Sequence, residues 1–113
     1  MMLTPEALQA IDFEVSKLEV ISEPWQTDGL IPTEMPPGIM VFLEPRIEVF
    51  ISDHMLVGEI IEVRRTGGSP VTLQPYSGRR SEDGELSLFF AVDTDFRFEM
   101  SDQVKFVGEG FEI

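Results

Sequence analysis

From Ile39 to the C terminus, apolar and polar residues alternate with a period of two. The pattern is clear at Ile47/Val49/Ile51, Leu86/Leu88/Phe90/Val92 and Phe96/Phe98/Met100. This is the periodicity of strands that bury one face and solvate the other. It predicts strands over residues 39–44, 46–51, 55–65, 71–76, 86–92, 95–100 and 103–107. No helical pattern separates them, and the connections are short. Such a series implies a mainly antiparallel β fold, a small barrel or a sandwich. Pro45 reads as a bend in one long strand at a sheet edge. Glu59-Ile60-Ile61-Glu62 breaks the alternation beside Gly58, which marks a bulge.

Two hairpins can be placed in register, because a slip of one residue exchanges the faces. Val63 opposite Val71 and Ile61 opposite Leu73 leave Thr66-Gly67-Gly68 as the loop. Gly68 is then expected to take the positive φ of its third position. Phe98 opposite Phe106 leaves Ser101-Asp102-Gln103 and sets Glu99 against Lys105.

Residues 4–21 read as one helix packed on this sheet. Thr4 can cap it, Pro5 suits the first position and Glu6 favours the positive dipole end. Leu8, Ile11, Val15 and Leu18 form an apolar stripe, and Pro24 ends the segment. The competing reading is a strand over 13–21, suggested by Val15, Val20 and Ile21. It is disfavoured because Val15 and Leu18 would face opposite sides. Residues 22–38 form a long irregular segment with four prolines, two glycines and the single Trp25. Pro37-Gly38 suits a type II turn at its end.

The chain has 113 residues, expected to form one domain over 1–113. No apolar run nears the ~20 residues of a membrane span, and the N terminus lacks signal-peptide character. With no cysteine, disulfides and thiolate chemistry are excluded. A cytoplasmic location is expected. The catalytic inventory is one His, one Tyr and two Lys. No catalytic motif accompanies it, so a non-enzyme without cofactor or metal is expected.

Charge is lopsided. The 21 acidic residues outnumber eight basic ones for a net −13, and residues 1–63 hold 12 acids against Lys17 and Arg46. Such a field repels nucleic acid and anionic membranes and attracts basic partners. Acidic surfaces also arise from adaptation to high salt, whatever the function.

The candidate sites follow from these features. Glu44, Glu48, Glu59 and Glu62 recur on predicted strands and define an acidic partner-binding face. Trp25 with Met35 is a second candidate contact, since tryptophan is enriched at interface hot spots. The alternative is that Trp25 folds back as a lid on the core. Arg64-Arg65 and Arg79-Arg80 are half of the basic residues and suggest anion binding. Strand geometry keeps the two pairs roughly 20 Å apart, and Arg79-Arg80 can instead neutralise Glu82, Asp83 and Glu85. Asp53-His54 lacks a placed nucleophile. Asp93-Thr94-Asp95 and residues 81–85 match no calcium-loop pattern.

The favoured expectation is a protein-binding module whose acidic surface meets a basic protein, as in an inhibitor, an immunity-type protein or a nucleic-acid mimic. It would be a monomer. The alternatives are a phage-type structural β module that self-associates, and a small-ligand-binding or hydrolytic β barrel.

Overall fold

The apolar faces of the strands Phe13–Ile21, Gly38–Glu44, Glu59–Arg64, Leu86–Ala91 and Gln103–Glu109 meet around one core. In a computed structural model, residues 4–27, 31–48, 59–94 and 96–109 are described. The elements run α1 (Pro5–Gln9), β1 (Phe13–Ile21), β2 (Trp25–Gln26), β3 (Glu34–Met35), β4 (Gly38–Glu44), β5 (Glu59–Arg64), β6 (Val71–Leu73), β7 (Ser77–Arg80), β8 (Leu86–Ala91) and β9 (Gln103–Glu109). Seven of the strands form one sheet in the order β6-β5-β9-β1-β4-β8-β7, and β2 pairs with β3. All of these pairings are antiparallel. No pairing joins β6 to β7 among the described residues, so the sheet is open rather than a closed barrel. Its extents of 36 × 34 × 33 Å are nearly equal. A flat sheet is only about 10 Å thick, so this one curls around its core in a sandwich-like way.

The N-terminal segment corrects the helical expectation for residues 4–21. The cap behaves as expected, with Thr4 Oγ1 accepting from the Ala7 N–H at 3.2 Å. The helix then stops after five residues. Residues 13–21 are a nine-residue strand held by β4 on one side and β9 on the other. The objection to a strand was that Val15 and Leu18 would face apart. A bulge removes it. Val15 pairs with Leu43, Lys17 with Phe42 and Leu18 with Val41, so Ser16 is an extra residue. One inserted residue turns an i, i+3 spacing into a shared face, and Val15 and Leu18 both pack on the core.

The Val63/Val71 and Ile61/Leu73 register occurs as expected. Its turn differs in detail. The Gly68 N–H donates to the Arg65 carbonyl at 3.1 Å, and Gly67, not Gly68, carries the positive φ of +80°. Gly67 is thus the third residue of a four-residue turn, where type II geometry demands positive φ. The irregularity expected at Glu59-Ile60-Ile61-Glu62 lies between Ile60 and Ile61, which pair with Gly108 and Phe106. The extra residue is Val107 on β9.

The second expected hairpin does not form. Ile61, on β5, stands opposite Phe106, and the described residues 96–99 are not a strand. Phe98 instead packs against Phe90 in a tilted contact at 4.7 Å and meets Phe96 edge-to-face at 4.9 Å. Glu99 approaches Arg65 rather than Lys105, and Lys105 approaches Asp12. Pro45 does not bend an edge strand. It follows a cis peptide bond at the end of β4, which lies inside the sheet. Residues 46–48 are not in a strand, and 49–51 lie outside the described residues. The expected strand 71–76 is split, since Ser77–Arg80 form their own strand on β8. Gly38 opens β4 rather than closing a type II turn. A Cβ there would lie 2.1 Å from the Phe90 carbonyl and 2.8 Å from the Phe89 ring.

The core gathers Leu8, Phe13, Val15, Val41, Leu43, Ile61, Leu88, Phe90, Val104 and Phe106 on the inner face. A second apolar cluster lies on the outer face of β8. Phe89 is fully buried there beneath Trp25 and Tyr76, with ring centroids at 5.2 and 5.9 Å. No helix among the described residues is long and apolar enough to cross a membrane.

Candidate functional site

The acidic residues are distributed by the pairing of β1 with β4. Residues two apart on a strand share a face, so Met40, Phe42 and Glu44 of β4 point outward while Val41 and Leu43 point into the core. Glu14 sits directly opposite Glu44. Both are exposed, and Asp12 precedes them at the start of β1. The three carboxylates bound an open depression of about 470 Å³ completed by Pro45 and Arg46. Like charges directly opposed across a ladder are destabilising. Arg46 does not relieve them, because its guanidinium turns to Asp83 at 2.5 Å and Glu85 at 3.7 Å.

The other expected acidic contacts fare differently. Glu48 is exposed just beyond Ile47. Glu62 is on the outer face of β5 and pairs with Arg64 at 2.5 Å. Glu59 lies in β5 opposite Glu109, and its side chain is outside the described residues. Glu44 and Glu48 remain open, whereas Glu62 is locally neutralised. Asp12 and Glu14 were missed by sequence reading. Only the strand character of residues 13–21 places Glu14 against Glu44, and the stripe reading hid it.

Trp25 and Met35 pair across β2–β3. Trp25 is half-buried, its indole N–H donating to the Pro36 carbonyl at 3.1 Å, and Met35 is 5% exposed. Trp25 therefore covers Phe89 as a lid, and Met35 is not presented to a partner.

The arginines are dispersed. Arg65 forms a two-point contact with Asp102, Nε to Oδ1 at 2.7 Å and Nη2 to Oδ2 at 3.0 Å. It also stacks over Phe96 at 4.8 Å and donates to the Arg97 carbonyl. The Asp102 hydrogen bond raises the Arg65 pKa further. Arg80 donates to the Ile47 carbonyl at 3.0 Å, and Arg79 is exposed on β7. The two pairs occupy β5 with its turn and β7, far apart in the strand order. No joint anion site assembles.

In the loop at residues 81–85, Arg46 pairs with Asp83 and Glu85, and Arg80 donates to the Ser81 carbonyl at 3.3 Å. The Ser81 hydroxyl donates to Asp83. That bond, with contributions from Arg46 and the Glu85 N–H, holds the Asp83 carboxyl below its ordinary pKa. Among the described residues no group of three or more His, Asp or Glu is arranged to hold a metal. Asp53, His54 and Asp95 lie outside the described residues, and Asp93 is exposed in a turn. A second depression, of about 120 Å³, lies between Asp12, Glu62, Arg64 and Lys105. Its cations are already paired, Arg64 with Glu62 and Lys105 with Asp12.

No protein-family model matches this chain, and neither a curated protein nor a solved structure does.

Proposed function

We propose that this protein is a non-enzymatic binding module that engages a basic protein partner through the Asp12/Glu14/Glu44 corner. The observation that supports this reading is the Glu14–Glu44 opposition. Two exposed carboxylates face each other across the centre of the sheet with no compensating cation among the described residues. The arrangement costs stability and supplies no contact that the fold needs. Docking of Lys or Arg side chains would remove the repulsion and convert it into binding energy. The net charge of −13 would speed such an encounter and make it salt-dependent. A cytoplasmic setting fits a chain without cysteine. The self-associating alternative is weaker. β6 is an open edge, but it is only three residues long and is bracketed by Pro70 and Pro75, a device that blunts edge pairing.

Retention of a basic protein from native lysate at low and moderate salt tests the proposal. The Glu14→Lys/Glu44→Lys variant should lose that partner. A Glu23→Lys/Glu34→Lys control, with the same change in net charge, should keep it. Equal retention by both variants would sink the corner as the contact.

A further inference from the structure

The outer face of β4 carries a feature that acidity does not explain. Met40 and Phe42 alternate with core residues on a strand at the middle of the sheet, and both remain partly exposed. The solvated face of an antiparallel sheet ordinarily carries polar side chains at such positions. β2–β3 covers this face at the neighbouring β8, where Trp25 meets Phe89. Phe42, on β4, carries a cation over its ring. The Lys17 ammonium lies 4.9 Å from the ring centroid, with Glu19 at 3.9 Å as its ion partner. The Lys17 side chain is 63% exposed, so it is free to move aside. Two residues along the same strand, about 7 Å away, the row ends at Glu44 opposite Glu14.

We infer that this row is the docking footprint for an extended segment of the partner in which an apolar and a basic side chain sit two residues apart. The inference rests on the proposed function above. Charge complementarity selects the occupant. The carboxylates at one end call for Lys or Arg, and the half-covered ring calls for an apolar side chain that displaces Lys17. Strand periodicity sets the spacing, since residues i and i+2 of an extended peptide share one face and repeat at the interval of Phe42 and Glu44. Lys17 then acts as a removable cover that a neutral, non-basic segment has no means of replacing profitably.

Two end-blocked peptides test this on the intact protein. The first is Leu-Ser-Lys-Ser-Leu-Ser-Lys and the second has both leucines replaced by serine. Burial of one leucine predicts that the first binds at least about tenfold more tightly. Phe42→Ser should erase that ratio, and Lys17→Ala should widen it by uncovering the ring. Should Phe42→Ser fail to fold, the exposed Lys17→Ala substitution carries the test alone, and an unchanged ratio overturns the footprint. Equal binding of the two peptides, with Glu14→Lys/Glu44→Lys still weakening both, overturns the footprint and leaves the acidic corner standing. Binding indifferent to the corner reversal overturns both readings.

Discussion

Asp102 is 2% exposed, and both of its carboxylate oxygens are held by Arg65, which lies 37 positions earlier in the chain. Oδ2 also accepts from the Glu99 N–H at 2.8 Å, and the Asp102 carbonyl accepts from the Val15 N–H at 2.8 Å. One residue thus ties three segments together, its carboxylate holding the β5 turn and the segment before β9, and its carbonyl holding β1. Removing one member of a buried pair costs more than the pair is worth, because the other is left uncompensated. The two truncations should differ. Asp102→Ala leaves an arginine that is a third exposed and can turn to water, so a loss of about 3 kcal/mol or less is expected. Arg65→Ala leaves a buried carboxylate with one backbone donor and should destabilise more. Arg65→Lys should not restore the loss, since an ammonium lacks the planar two-point geometry. Urea midpoints of the three variants check the ranking.

The Glu14–Glu44 opposition makes the corner a place where stability and binding trade against each other. Glu14→Gln should raise stability by roughly 0.2–1 kcal/mol at low salt, through loss of a like-charge cross-strand pair. The gain should shrink as salt screens the pair. The same variant should bind the basic partner less well. Thermal melts at two salt concentrations measure the first effect, and a destabilised Glu14→Gln would contradict the cross-strand repulsion.

Trp25 reports on the second apolar cluster. Trp25→Ala uncovers the buried Phe89 ring and should cost about 2 kcal/mol, less than a fully buried aromatic because Trp25 is half-exposed. Trp25→Phe keeps a ring against Phe89 but gives up the N–H donor to Pro36, for a loss of about 1 kcal/mol. As the single tryptophan, Trp25 should also emit to the blue of a solvated indole and shift red on unfolding. Emission already at the free-indole position in the folded protein would refute the lid.

Acid should release the loop around Asp83. The Ser81 hydroxyl, and then Arg46, depress the Asp83 pKa in the folded protein. The deprotonated form is therefore favoured by folding. Its contribution is fully present above the unfolded value of about 3.9 and is lost as pH falls through the lower folded value. Asp83→Asn should be less stable than the wild type at neutral pH, and the gap should close below about pH 3.9. Denaturation midpoints against pH decide this, and a gap that widens in acid would reverse the sign of the linkage.

The strands and one hairpin were legible because their information is local. Alternation along 86–92 identifies β8, and face matching around two glycines sets Val63 against Val71. The cap at Thr4 and the acidic imbalance are equally local. The fate of residues 13–21 was not. Their apolar spacing fits a helix as well as a bulged strand, and the choice falls to the strand because β4 and β9 offer backbone partners on both sides. Everything at the candidate site follows from that decision. It sets Glu14 against Glu44, lays Lys17 over Phe42 and leaves Met40 on an outer face. Likewise, Arg65 carries no mark in the sequence that distinguishes it from Arg64. Only packing brings Asp102 within its reach and leaves Arg64 on the surface with Glu62. Periodicity along a chain determines which face of a segment is apolar. Which segment lies beside it is a choice among long-range pairings, made by the total burial and hydrogen bonding that each arrangement allows.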